Sequence, residues 1–104
     1  MIYEERAYTL QVAHFREFLE LFENEGLALI RGHLGELVGY FTTETGTLNT
    51  VVHIWAYADL NDRERRRAAL WADPQWQVYA EKVLPWITRM ESRLLKPTRF
   101  SPWQ

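Results

Sequence analysis

Leu48 to Ala58 reads LNTVVHIWAYA, a run of β-branched and aromatic residues with no proline, lysine, arginine or carboxylate. That composition suits a pleated strand better than a helix. Successive side chains of a strand point to opposite faces, which divides the run into two sets. Val52, Ile54, Ala56 and Ala58 are small and apolar and suited to lie beneath helices, whereas Val51, His53, Trp55 and Tyr57 are larger and partly polar. Just upstream, Leu37 to Thr45 (LVGYFTTET) has a similar composition. Between the two runs, Glu44-Thr45-Gly46-Thr47 holds a glycine free to take positive φ. Together they predict a β-hairpin.

Working outward, Ile2 to Leu10 (IYEERAYTL) alternates as a further strand. From Ala13 to Arg31 the period changes: Phe15, Phe18, Leu19 and Phe22 recur at helical spacing, with Gly26 or Gly32 placed to bend or end the helix. Beyond the hairpin, Asp59 is placed to cap a helix through RERRRAALWAD, with Asp62 suiting its positive end. Asp73-Pro74 interrupts it, because the residue before a proline avoids helix while proline suits the first turn of the next. Trp76, Tyr79, Ala80, Val83 and Leu84 give a second helical face running toward Ile87 and Met90, and Arg93 to Phe100 closes with an extended segment in which Pro97 must stand at an edge or start. The order β-α-β-β-α-β predicts an α+β, ferredoxin-like antiparallel sheet with two helices on one face, the second broken at Pro74. No repeat or linker divides residues 1–104, so a single domain is expected.

Composition removes several classes of function. The net charge of −2 gives no general attraction to nucleic acid or anionic lipid, and the absence of cysteine excludes disulfides, thiol nucleophiles and Cys-ligated metals. The arginines at 63, 65, 66 and 67 read as a solvated helix face, and TVVHIWAY lacks the basic-Gly start of an RNA-recognition strand. No nucleic-acid partner is expected. No apolar run approaches the ~20 residues of a membrane span. Charges at Glu4, Glu5 and Arg6 stand where a secretion signal would need apolar residues, so a cytoplasmic protein is expected.

If helices cover one face of the sheet, the other needs a partner or a polar surface. With Val51, His53, Trp55 and Tyr57 assigned to the open side, that side is too apolar for water. A homodimer packed sheet on sheet is then predicted, enclosing an aromatic-lined chamber. The inverse assignment, with Trp55 and Tyr57 beneath a helix, is the alternative.

The segments MIYEERAYTL (1–10), HLGELVGYFTTETGTLNTVVHIWAYADLNDRERRRAAL (33–70), ADPQW (72–76) and RLLKPTRFSP (93–102) together resemble the NIPSNAP family of the dimeric α/β-barrel superfamily. The resemblance implies a ferredoxin-like fold and dimerisation through the sheets. It supplies no reaction, although other branches of that superfamily hold monooxygenases, isomerases and haem-handling enzymes. Glu5 stands where the family more often has an apolar residue.

Candidate site residues follow from the strand alternation. Glu4 and Arg6 share a face and can pair, either as a ligand contact or as a register-fixing ion pair. His53 is the candidate catalytic acid or base, against the alternative of a hydrogen-bonded core histidine. Tyr40, Trp55 and Tyr57 would supply apolar walls, and His33, at the helix-to-strand junction, is a further binding candidate or a helix-end residue. The histidine spacings form no metal site, so no metal and no cofactor is predicted. These readings add up to a homodimeric binder of a small, partly apolar molecule, with cofactor-free proton transfer or oxygenation as the chemistry such a chamber could carry. The alternative is a non-catalytic protein-interaction or structural module.

Overall fold

The computed structural model describes all residues from Met1 to Gln104. Strands β1 (Ile2–Leu10), β2 (Glu36–Thr42), β3 (Thr50–Tyr57) and β4 (Ile87–Leu95) form one sheet in the order β2-β3-β1-β4, antiparallel throughout. Helices α1 (Phe15–Leu21) and α2 (Leu27–Leu34) follow β1, and α3 (Leu60–Ala72) and α4 (Pro74–Val83) follow β3. The molecule is a slab of 42 × 35 × 20 Å, the thickness of one sheet and one helix layer. No helix is long and apolar enough to cross a membrane.

The helix boundaries have local causes. Asp59 caps α3 by accepting from the Asp62 amide at 2.7 Å. Asp73 caps α4 by accepting from the Gln75 amide at 2.9 Å, with Pro74 as the first helical residue, so the second helix breaks where the proline demands. The first helix does not end at Gly26 or Gly32. It passes through a π turn at Phe22–Gly26 and stops at Gly35, whose φ of 84° suits glycine. Gly26 is required by a close approach: a Cβ there would lie 2.6 Å from Tyr79 Cζ.

Two expectations are corrected. The last helix ends at Val83 and does not run on to Ile87 and Met90; Leu84–Trp86 is a 3-10 turn in which Pro85 offers no amide to continue the ladder. The closing strand is therefore Ile87–Leu95, earlier than Arg93 to Phe100, and Pro97 lies beyond it.

The second correction concerns the faces of the sheet. Val51, His53, Trp55 and Tyr57 lie beneath the helices, each no more than 2% exposed, while Val52 and Ile54 are half-buried on the open side. Register carries the same inversion across the sheet, since Glu4 pairs with Trp55, Arg6 with His53 and Tyr40 with His53. The physical reason is area. Burying a Trp and a Tyr removes more apolar surface from water than burying Val, Ile and Ala. The larger set therefore joins Leu10, Phe18, Phe22, Ile30, Leu34, Leu70, Trp76, Tyr79 and Val83 in the core.

Candidate functional site

The core is not filled. Between sheet and helices lies a cavity with about 60 Å³ in which the centre of a water molecule can move. A single water needs roughly 10–15 Å³ by that measure, so the space holds several. All of its lining residues are hydrophobic except Arg6, His53 and Arg67. Trp71, Leu84 and Met90, which line it, are also exposed, so the cavity reaches solvent beside β4.

His53 sits at the sheet floor of this cavity, 2% exposed, with the Tyr40 ring stacked on it at 4.8 Å and the Tyr8 ring edge-on at 4.9 Å. The Trp55 indole donates to His53 Nδ1 at 2.8 Å. Because an indole nitrogen can only donate, Nδ1 is the acceptor and the ring proton resides on Nε2. That Nε2 is buried and has no partner. Burial first, then the Arg6 charge, pulls the His53 pKa down to about 3, so the ring is neutral across the physiological range. Trp76 Nε1 and the Tyr79 hydroxyl, also lining the cavity, are likewise buried without partners. Burial keeps the Tyr40 and Tyr79 phenols protonated, well above the usual phenol range.

Beside the cavity, Glu4 is fully buried and carries a four-way contact. It accepts from Arg6 Nη1 at 2.8 Å, from Arg63 Nη2 at 2.9 Å and Nε at 3.2 Å, and from Ser92 Oγ at 2.6 Å. Burial by itself would raise its carboxyl, but hydrogen bonds from Arg63 and Ser92 and the charge of Arg6 outweigh it and hold the pKa at about 2. Arg6 in turn donates through Nε to the Tyr8 hydroxyl at 2.6 Å, which fixes the guanidinium at the cavity wall.

Of the residues singled out in the sequence, Arg6, Tyr40 and His53 line the cavity together. Glu4 and Trp55 stand behind them, holding Arg6 and His53 respectively. Tyr57 is buried with an unpartnered hydroxyl but does not line the space, and its pKa is pushed up by burial and by the Glu4 charge. His33 is elsewhere: its Nε2 meets Asp73 Oδ2 at 2.8 Å, tying the end of α2 to the break between α3 and α4. The supposed solvated arginines divide as well. Arg63 reaches Glu4, Arg65 and Arg66 pair with Asp62, and Arg67 lines the cavity without an ion-pair partner. The signal for Arg67 was present in its spacing, since Arg63, Arg67 and Leu70 lie at i, i+4 and i+7 on one helix stripe. Trp76 and Tyr79 were legible as core but not as cavity lining.

The family model described as NIPSNAP matches residues 3–102, nearly the whole chain. The chain belongs to the NIPSNAP family. Protein NipSnap of Drosophila melanogaster is 38% identical over 104 residues, covering 99% of this chain and 37% of that protein. The chain spans about a fifth to two fifths of the length of the curated relatives it matches. Among solved structures, a NIPSNAP family protein from Agrobacterium tumefaciens is 42% identical, with a TM-score of 0.97, covering 99% of this chain and 98% of that one. An antibiotic biosynthesis monooxygenase shares the fold with a TM-score of 0.63 at 10% identity, covering 94% of this chain and 99% of that one. At that identity the likeness carries the fold and not the reaction.

Proposed function

We propose that this NIPSNAP protein is a homodimeric small-molecule-binding domain. Its ligand would sit between the sheet and helices of each chain, not between two facing sheets. The observation that carries the binding reading is the convergence of His53 Nε2, Trp76 Nε1 and the Tyr79 hydroxyl on one apolar cavity, all buried and unpartnered. A buried donor without an acceptor costs about 1–3 kcal/mol, so three around one space are best accounted for by a guest. With Nδ1 occupied by Trp55 and the imidazolium disfavoured, His53 is suited to polarise a bound acceptor and not to abstract a proton. Arg6 and Tyr40 complete the polar and stacking contacts, with Glu4 and Trp55 as positioning residues.

The dimer rests on the uncovered face of the sheet. Phe41 and Leu95 are 54% and 41% exposed there, beside the half-buried Tyr3, Ala7, Val52 and Ile54. The accessible surface of 6740 Å² exceeds the roughly 6,100 Å² usual for a monomer of this mass. Both observations favour a second copy over the open side. Native mass spectrometry of protein purified from its own host tests both parts. A dimer carrying extra mass from a small compound is expected, and Phe41→Asp should weaken dimerisation by about tenfold or more. A wild-type monomer at micromolar concentration would overturn the dimer, and a ligand-free mass that no added apolar compound alters would overturn the binding site.

A further inference from the structure

The polar side chains that line the cavity differ from those of an ordinary binding pocket in one respect: every one can donate, and none is an acceptor alone. His53 Nε2 carries the ring proton because Nδ1 accepts from Trp55. Trp76 Nε1 can only donate. The guanidinium of Arg67 makes no ion pair, and that of Arg6 has spent Nη1 on Glu4 and Nε on Tyr8 while keeping further N–H groups. The Tyr79 hydroxyl, buried and unpartnered, can accept as well as donate, as can the Tyr40 hydroxyl. No carboxylate lines the space; Glu4, behind Arg6, already answers to Arg6, Arg63 and Ser92, and Glu25, which acts on Tyr79, pairs with Lys82. Arg6 and Arg63 therefore share a single buried anion, and Arg67 has no counterion.

Resting on the small-molecule reading above, we propose that the ligand is an apolar, preferably aromatic, monocarboxylate or an equivalent organic anion. Its charged oxygens would take hydrogen bonds from Arg67 and His53 Nε2, and its apolar body would lie against Trp71 and Tyr40. A ligand rich in donors would find only tyrosine hydroxyls among the lining side chains to accept its hydrogens, and a cation would meet the guanidinium of Arg67. An anion supplies acceptors for the orphaned donors and a counterion for Arg67 together. The apolar lining excludes small hydrophilic anions such as phosphate, which would strand their hydration against Ile30, Leu34 and Val83.

Three probes of nearly one shape separate charge from shape: benzoate, benzamide and benzamidine. Each is titrated into the 104-residue chain while the indole N–H signal of Trp76 is followed by nuclear magnetic resonance. Benzoate is expected to bind about tenfold more tightly than benzamide, with benzamidine weaker still, in line with the greater strength of charge-assisted hydrogen bonds. Arg67→Met should erase the preference for benzoate over benzamide without abolishing benzamide binding. Benzamide or benzamidine binding as tightly as benzoate would overturn the anion assignment and leave the cavity a ligand site. Failure of all three to move the Trp76 signal would overturn the assignment and the small-molecule reading together.

Discussion

Replacing Glu4 by alanine is expected to cost about 3–5 kcal/mol of folding stability, the range for breaking a buried ion pair by removing one partner. The reason lies in what remains. Arg6 and Arg63, whose side chains are 13% and 22% exposed, would lose the carboxylate they share, and Ser92 would lose its acceptor. Those partners come from β1, α3 and β4, so one side chain ties the helix layer to the centre and edge of the sheet. Set against a total stability of about 5–15 kcal/mol for a small domain, the loss is large. Denaturant unfolding at neutral pH measures it, and a loss below about 1 kcal/mol would show that the contact is a weak surface pair.

Acid should weaken the fold through His53 before it reaches Glu4. The His53 pKa is depressed from 6.5 to about 3 in the folded chain. Between those values the unfolded chain binds a proton that the folded chain does not, so stability falls as pH falls. From about pH 7 to about pH 4.5 this one residue accounts for roughly 2–3 kcal/mol, at 1.36 kcal/mol per unit. Glu4 adds to the loss only lower down, as pH drops from its ordinary value of 4.5 toward about 2. His53→Gln, whose side-chain oxygen can still accept from Trp55, should flatten the slope between about pH 6.5 and pH 4.5. Unfolding curves of both proteins across that range decide it, and an equal slope in the variant would assign the acid sensitivity elsewhere.

The strand and helix order was legible because its signals are local: alternation in TVVHIWAY, a capping aspartate at 59, a proline at 74. The orientation of the sheet was not. Both side-chain sets of β3 are apolar enough to be buried, and the choice between them depends on how much aromatic area the helices can cover. Once Trp55 is placed inward, register carries Glu4, Arg6, Tyr8 and Tyr40 with it, which is why the candidate residues stayed together although their side was inverted. The closing strand was displaced because Met90, Ser92 and Leu94 are helix-side positions of an exposed edge, where apolar periodicity is weak. Glu5 lies on the open side and pairs with Arg93. Arg67 was hidden among three neighbouring arginines with different tasks.

The most direct test is the proton count on one ring. In protein labelled with ¹⁵N-histidine, the His53 signals, assigned by their absence in His53→Gln, should keep the neutral Nε2–H pattern from about pH 8 down to about pH 5. Titration of that ring with a midpoint near 6.5 would place it in water and contradict a sheet whose aromatic side is turned toward the helices.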